Sequence, residues 1–262
     1  MSSISDAIAE WQQKRLSGSA LMREIVSYKK WSVPISDAAV EVALQEKVLS
    51  GVMFNKDAQG VSRLFLFSDG PAYNRFCEVA GEANTGQQNF LTTTGSWLFK
   101  LPLDTIDMIC IDPFTPPDIN YRTDQYVRLR EMAEAVEVEE TIAALRAGEN
   151  THDGMVKLVR DYASYSIVIH KLEDKYSLAL APDPQGRALA AVFTFDDAFD
   201  AYYPVCKQMY PEGELLQLPM TGKELFAHLW ERDLTGMVFN CSGPGKPIAF
   251  AAQFSEVVLN AE

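Results

Sequence analysis

The sequence predicts an α+β fold made of two tandem duplicated units, each a mixed, largely antiparallel sheet packed with helices. One observation behind this prediction is that most neighbouring strand candidates are joined by turns too short for a parallel crossover. The other is that the order of elements in residues 31–121 recurs, in a clearer form, in residues 165–250. We place the first unit at residues 1–122 and the second, with the long connecting helix, at residues 123–262.

The chain begins with two amphipathic helix candidates that precede a strand. Apolar residues recur at helical spacing in residues 3–16 and again in residues 20–28. Residues 31–35 alternate as a strand does, and Pro34 restricts this strand to an edge or an end of a sheet. Ser36 can cap a short helix that reaches about residue 45.

The rest of the first unit alternates short strands with helices. In chain order we predict strands at 52–54 and 64–67, a helix opened by Ser68 or Asp69, a short strand near Phe90, a helix from Thr94, a strand at 106–111, a Pro-rich turn at 112–117 and a strand at 119–121. The longest helix candidate follows at residues 124–147, where good helix formers precede Gly148.

Corresponding residues in the two halves lie at nearly constant separations. Tyr162 follows Tyr28 by 134 positions, whereas Phe193 follows Phe67 by 126. The difference coincides with the additional helix predicted after Ser36. Separations that change only at loops are typical of a duplicated domain, because loops tolerate changes of length that packed elements do not.

Composition and charge restrict the classes of function. The formal net charge is −13 and the pI is near 4.7, so the protein repels phosphate backbones and nucleic-acid binding is disfavoured. The same charge attracts a basic protein partner, although it can equally serve solubility alone. No apolar run is long enough to span a membrane, and the N-terminus lacks the features of a signal peptide. Four scattered cysteines indicate buried free thiols and a cytoplasmic protein.

The sequence contains no catalytic or metal-binding signature. His152, His170 and His228 are too far apart along the chain for a chelating motif. Residues 242–246 resemble a Walker loop, but the glycine spacing is wrong and a proline follows the lysine. A Cys–His pair formed only in the folded chain, from Cys206 or Cys241, stays an open alternative. We therefore assign no catalytic residue, no cofactor and no metal.

Candidate partner-binding residues are acidic or aromatic. Five glutamates within ten residues of the long helix repel one another, which favours a docking face for a basic partner, although solvation alone can also account for them. Three aspartates open another helix, where the helix dipole also stabilises them. The Pro-rich turn and the strand after it add two aromatic rings. The candidates are Glu134, Glu137, Glu140, Asp196, Asp197, Asp200, Phe114 and Tyr121.

Short motifs at the ends of helices and strands in the second half resemble those of a known family. The resemblance rests on Phe-Thr before a helix at residues 193–199, on Leu-Pro-Met before Thr221, and on the closing strand and turn at residues 236–245. These motifs resemble the SseB-like domain, named for enhanced serine sensitivity, with Asn240-Cys241 in place of the Asn-Pro of the family. The resemblance covers residues 165–250 clearly and residues 31–121 faintly. It implies the α+β unit and no catalytic residue.

These observations together favour a binding function over catalysis. We expect a non-catalytic, cytoplasmic, bacterial-type protein-binding module, of the adaptor, chaperone-like or immunity class, whose partner is a protein, with a basic one favoured. The alternative is an enzyme or small-ligand sensor with a site in the cleft between the two units.

Overall fold

The computed structural model describes residues 3–35, 54–56, 59–80, 89–101, 103, 106–116, 118–149, 152–181, 183, 185–242 and 247–261. The chain divides into two compact units, residues 1–136 and 137–262. The division falls inside the long helix, whereas the sequence placed it just before that helix. The helix predicted after Ser36 and most of the Walker-like turn lie outside the described residues.

Unit 1 begins with two helices and continues with short strands separated by helices. In chain order its elements are α1 (Ile4–Gln12), α2 (Gly18–Ser27), β1 (Trp31–Ile35), β2 (Phe54–Lys56), β3 (Ser62–Leu66), α3 (Gly70–Ala80), β4 (Asn89–Thr93), α4 (Gly95–Leu98), β5 (Met108–Ile111), β6 (Ile119–Arg122) and α5 (Thr123–Ala147). Helix α5 continues into unit 2. None of the helices in the described ranges has the length and apolarity needed to cross a membrane.

Unit 2 repeats the alternation and ends with a helix that the sequence analysis does not predict. After the end of α5 its elements are α6 (Asp153–Asp161), β7 (Tyr165–Leu172), β8 (Lys175–Leu178), β9 (Leu189–Phe193), α7 (Asp196–Met209), β10 (Glu214–Met220), α8 (Gly222–Trp230), β11 (Gly236–Phe239), β12 (Ile248–Ala251) and the closing helix α9 (Gln253–Leu259).

The sheets of both units combine one parallel pair with antiparallel pairs. In unit 1 the order is β2-β3-β5-β6, with β3 parallel to β5, and β1 pairs with β4. Two backbone hydrogen bonds between Ser32 and Phe67 connect β1 to the end of β3. In unit 2 the order is β10-β7-β9-β11-β12, with β9 parallel to β11, and β8 pairs with β7. The α+β class with mixed sheets is confirmed.

An aromatic pair ties the helices of unit 1 to its sheet. Tyr28 and Trp31 pack edge-to-face with ring centroids 4.9 Å apart. The Trp31 indole N–H donates to the Ile25 carbonyl at 3.0 Å, and the Tyr28 hydroxyl donates to the Ser68 carbonyl at 2.6 Å. Each polar tip of the pair therefore has a partner, as buried polar groups require.

Unit 2 contains the same arrangement. Tyr162 and Tyr165 pack edge-to-face at 4.8 Å. The Tyr165 hydroxyl donates to the Val159 carbonyl at 3.0 Å, and the Tyr162 hydroxyl donates to the Thr194 carbonyl at 2.7 Å. The two units thus share a set of buried contacts and the strand order β3-β5-β6 or β9-β11-β12, whereas β2 pairs with β3 and β8 pairs with β7. That they arose by duplication stays a prediction.

Candidate functional site

The acidic residues predicted on α5 form a narrow stripe. Glu134 and Glu137 are half-buried, and Glu140 is exposed. Glu134 pairs with Arg130 at 3.4 Å, one turn earlier. Apolar side chains on either side of the stripe are fully buried, namely Leu129, Met132, Ala133, Ala135, Val136, Val138 and Ile142. Helix α5 therefore presents a line of carboxylates between buried apolar side chains.

The three aspartates predicted on α7 have different environments. Asp197 is buried and accepts the Ala198 N–H at 2.9 Å, so its carboxylate serves the fold and not a partner, which corrects its assignment. Asp196 is half-buried and Asp200 is exposed. Partial burial, and then the charges of Asp196 and Asp197, raise the pKa of Asp200.

The two aromatic candidates of unit 1 have opposite environments. Only 5% of Tyr121 is exposed, and burial raises the pKa of its hydroxyl. Tyr121 is thus a core residue, and its assignment to a contact surface is wrong. Phe114, by contrast, is 47% exposed. It borders a groove of 510 Å³.

This groove, called the sheet groove below, lies within unit 1 between one face of the sheet, helix α3 and the loop after β5. Its apolar lining comprises Phe65, Phe76, Ala80, Met108, Cys110, Pro113 and Phe114, and its polar lining comprises Arg63, Asp118 and Asn120. Pairing of the strands aligns Phe65, Cys110 and Asn120 across β3, β5 and β6. The sheet register therefore builds the floor.

The loop after β5 holds Phe114 in place. Asp112 and Phe114 both have left-handed backbone conformations, with φ of 46° and 62°, which are uncommon for residues other than glycine. The Asp112 N–H donates to the Leu66 carbonyl at 2.9 Å, and the Thr115 N–H donates to the Asp112 carbonyl at 3.0 Å. The Phe114 ring stacks on Phe76 at 6.0 Å. An exposed aromatic ring is thus fixed on a turn with a defined conformation.

The Asp112 carboxylate anchors this turn from beneath. It is fully buried and accepts the Ser68 N–H at 2.7 Å and the Ser68 hydroxyl at 2.6 Å. Burial raises the pKa of Asp112, the two bonds from Ser68 lower it, and the charge of Asp69 raises it further, with a net increase. The anchor therefore carries an electrostatic cost when it is ionised.

Unit 2 has an amide at the corresponding position. Asn240 has the same left-handed conformation (φ 50°), and its N–H donates to the Val192 carbonyl as that of Asp112 does to Leu66. The Asn240 Oδ1 accepts the Thr194 N–H at 3.1 Å, and its Nδ2 donates to Thr194 Oγ1 and to Glu139 Oε1, both at 2.9 Å. The Thr194 hydroxyl also donates to Glu139. The Glu139 carboxylate thus accepts hydrogen bonds from both Thr194 and Asn240.

Replacing Asp112 by asparagine is expected to stabilise the protein at neutral pH. The pKa of Asp112 is raised on folding, so the folded chain binds this proton more tightly, and stability falls as pH rises through the folded pKa. Asp112→Asn removes this penalty and copies Asn240. The melting temperature should rise by several degrees at pH 7, and the difference should shrink towards pH 4. A variant less stable than the wild type at pH 7 would contradict this account.

The face of the unit 2 sheet that matches the sheet groove is buried. Asp112 and Asn240 make the same backbone hydrogen bond, to Leu66 and Val192, and are therefore equivalent positions. Along the paired strands, Phe65 is then equivalent to Ala191 and Cys110 to Val238. Ala191 and Val238 belong to a buried cluster with Tyr202 and Cys206 of α7. In unit 1, Cys110 is buried as Val238 is, whereas Phe65 and Met108 are half-buried. Over the described residues, this face is therefore less completely covered in unit 1 than in unit 2.

Two charged groups flank the floor of the sheet groove. Burial raises the pKa of the Cys110 thiol to about 11, while Arg63 lowers it and Asp118 raises it. Cys110 is therefore a neutral thiol at physiological pH and behaves as a small apolar group. Asp118 is exposed at the rim, and Arg63 is half-buried.

The two histidines that could have formed a nucleophilic pair have other hydrogen-bond partners, and the thiols are buried or have a raised pKa. The His170 Nε2–H donates to the Glu212 carbonyl at 2.8 Å, and His228 Nε2 accepts the Arg232 Nε–H at 2.8 Å. Cys206 is fully buried, and burial raises the pKa of Cys241 to about 11. In the part of the chain that the structure describes, no three His, Cys, Asp or Glu side chains converge to hold a metal ion.

A second, smaller groove lies within unit 2. Its volume is 340 Å³, and its lining includes Leu145, His152, Val156, Phe254 and Val257. Val257 is 55% exposed, a fraction close to that of Phe114. This groove supplies a matched control surface for experiments on the sheet groove.

Comparisons with known proteins give little further information. No family model matches the chain, and no curated protein matches it. Among solved structures, Anabaena Tic22 (protein transport) is similar over 83% of this chain and 88% of its own, with 9% identity and a TM-score of 0.21. These values are too low to relate the two folds.

Proposed function

We propose that this protein is a non-catalytic protein-binding module that receives an apolar side chain of a partner protein in the sheet groove. The observation that carries the proposal is the half-exposed Phe114 ring, which an anchored turn fixes beside a mainly apolar groove. If the resemblance found in the sequence reflects the family, the module is an SseB-like cytoplasmic protein of the adaptor, chaperone-like or immunity class.

Energetics favour a contact role for this ring. Complete burial of a phenylalanine side chain is worth about 1.5–3 kcal/mol, and Phe114 realises only part of that in the free protein. Aromatic residues near the centre of an interface often dominate its binding energy. Because the turn is held by Asp112 and stacked on Phe76, little conformational entropy is lost when a partner covers Phe114.

The test combines site-specific crosslinking with binding measurements on purified proteins. A photoreactive phenylalanine analogue is placed at position 114, or at Val257 as the control, and the full chain is exposed to an extract of its native host. A protein that crosslinks only from position 114 is then purified and titrated against the wild type, Phe114→Ala and Val257→Ala. We expect Phe114→Ala to weaken binding at least about tenfold and Val257→Ala to leave it unchanged.

Either of two results would refute the proposal. One is an affinity for that protein that does not depend on Phe114. The other is a chain that retains a small metabolite and forms no crosslink from position 114, which would favour the sensor or enzyme alternative. The melting temperature of Phe114→Ala serves as a control for folding and should stay close to that of the wild type.

The acidic stripe on α5 should affect the rate of association more than the affinity. Reversing Glu134, Glu137 and Glu140 to lysine changes the formal net charge from −13 to −7, because each reversal adds two positive charges. A basic partner should then associate more slowly at low salt, and the difference should fade as the Debye length falls to about 8 Å or less. Stopped-flow association rates at two salt concentrations check this. Association rates that change neither with the triple charge reversal nor with salt concentration would exclude a role for the stripe.

A further inference from the structure

The sheet groove also indicates which chemistry its partner presents, an inference that rests on the proposed function. Its volume of 510 Å³ lies within the range of about 300–1,000 Å³ that small-ligand pockets span, so it can hold one large side chain with its neighbours. The floor contributes a thiol from Cys110 and a thioether from Met108, which are polarisable and interact favourably with aromatic rings.

The wall of the sheet groove also suits an aromatic ring. Phe114 and Phe76 stack nearly parallel, with an angle of 18° between their planes, and Phe65 packs against Phe76 at 4.9 Å. An incoming ring can therefore meet the exposed Phe114 edge-to-face or offset, which are the favoured arrangements of aromatic pairs. A ring gains specific contacts on both the floor and the wall, whereas an aliphatic chain gains mainly burial.

Charge at the rim of the sheet groove favours particular residues beside the inserted ring in the partner segment. Two charged side chains line the groove, and Asp118 is exposed at its rim whereas Arg63 is half-buried. The protein as a whole carries a formal charge of −13. A cation beside the inserted ring would be attracted both by Asp118 and by the overall field.

From these observations we infer that the sheet groove binds an aromatic side chain flanked by lysine or arginine in a segment of a partner protein. Unit 2 offers no equivalent, since Ser242 takes the position of Phe114 and the matching floor is buried under α7. Over the described residues, the inference therefore concerns a single site in unit 1.

The test uses the full chain and peptides of defined sequence. The first peptide is Gly-Ser-Lys-Trp-Lys-Ser-Gly, the second has alanine in place of tryptophan, and the third has glutamate in place of both lysines. The readout is the NMR signal of a ¹³C-labelled Met108 methyl group, assigned with a Met108→Leu variant. We expect saturable shifts with the first peptide, binding at least tenfold weaker with the second, and several-fold weaker binding with the third at low salt.

Two variants test the aromatic preference and the charge preference separately. Phe114→Ala should abolish the preference for tryptophan over alanine. Asp118→Asn should remove most of the preference for lysine over glutamate while the tryptophan preference persists. Val257→Ala, in the unit 2 groove, should change neither preference.

The outcomes separate this inference from the proposed function. Peptides that leave the Met108 signal unmoved, that bind equally with tryptophan and alanine, or that bind as well with glutamate as with lysine would overturn the inference. The proposed function would still hold if the crosslinked partner protein depended on Phe114. It would fall if that partner bound Phe114→Ala as tightly as the wild type.

Discussion

Replacing Gly222 by alanine is expected to lower the free energy of unfolding of unit 2 by about 3 kcal/mol or more. The Gly222 N–H donates to the Tyr162 carbonyl at 2.7 Å, which brings the start of α8 against the end of α6. A methyl group at this position would lie 2.3 Å from the Arg160 carbonyl oxygen and 2.7 Å from that of Val159. Both atoms belong to backbone, so the clash can be relieved only by separating the two helices.

Gly95 makes the same close approach in unit 1, which allows the prediction to be tested twice. Its N–H donates to the Tyr28 carbonyl at 2.8 Å, and an added methyl group would lie 2.5 Å from the carbonyl oxygens of Ile25 and Val26. Gly18→Ala is the matched control, because nothing lies within 4 Å of its added methyl group and its backbone angle is ordinary.

Urea unfolding combined with hydrogen exchange, which reports on each unit separately, measures these changes. We expect Gly222→Ala to lower protection mainly in unit 2 and Gly95→Ala mainly in unit 1. Gly18→Ala should be neutral or slightly stabilising. A loss below about 1 kcal/mol in both clashing variants would show that the helix contacts yield more easily than packed backbone should.

The second large effect is expected from Asn240→Asp, which should destabilise unit 2 by about 3–5 kcal/mol at neutral pH. The Asn240 Nδ2 donates to Glu139 Oε1 at 2.9 Å, and the Asn240 side chain is buried. An aspartate would replace this bond with two carboxylates in direct contact. Like charges at such a separation in a poorly solvated site cannot both ionise without a large cost.

The pH dependence of this variant has a defined sign. Repulsion raises the pKa of the carboxylate pair in the folded state above its value in the unfolded chain, so the folded state binds more protons. The loss of stability should therefore be largest above neutral pH and should shrink as pH falls and one proton is shared. Melting temperatures of the variant and the wild type between pH 4 and 8 give this curve.

The double variant Asn240→Asp with Glu139→Gln isolates the repulsion. Removing the Glu139 charge should recover much of the lost stability, and the coupling energy of the cycle then measures the contact between the two carboxylates. A double variant no more stable than Asn240→Asp alone would mean that burial of the new charge, and not its contact with Glu139, dominates the loss.

The sequence alone predicts much of the local structure. Period and capping signals locate the helices, and the strand predicted at residues 31–35 has these bounds in the structure. The helix predicted from Thr94 is present, and the Thr94 side chain accepts the backbone N–H three residues later. These features depend on interactions within a few residues, which a sequence records directly.

Which side chains are buried and which are exposed is harder to predict from the sequence than the helices and strands. Alternation in β6 assigns Asn120 and Tyr121 to opposite faces but does not say which face is covered. Tyr121 points into the core and was mistaken for a contact residue, while Phe114, beyond the end of β5, remains on the surface. Likewise the glutamates of α5 do form a row, but the buried apolar residues on both sides narrow it to a stripe.

The sheet groove could be identified only in the tertiary structure. Its floor requires β3 and β5 to be parallel neighbours in one register, with β6 beside them, and the pairing of β3 with β5 joins segments more than forty residues apart. The sequence also does not show which of two similar sheet faces is the less completely covered by the described residues. What the sequence determined was the set of local elements, the acidic charge and the exposed Phe114 turn. The pairing of distant strands and the partial covering of one sheet face, which no local pattern encodes, decided where a partner could bind.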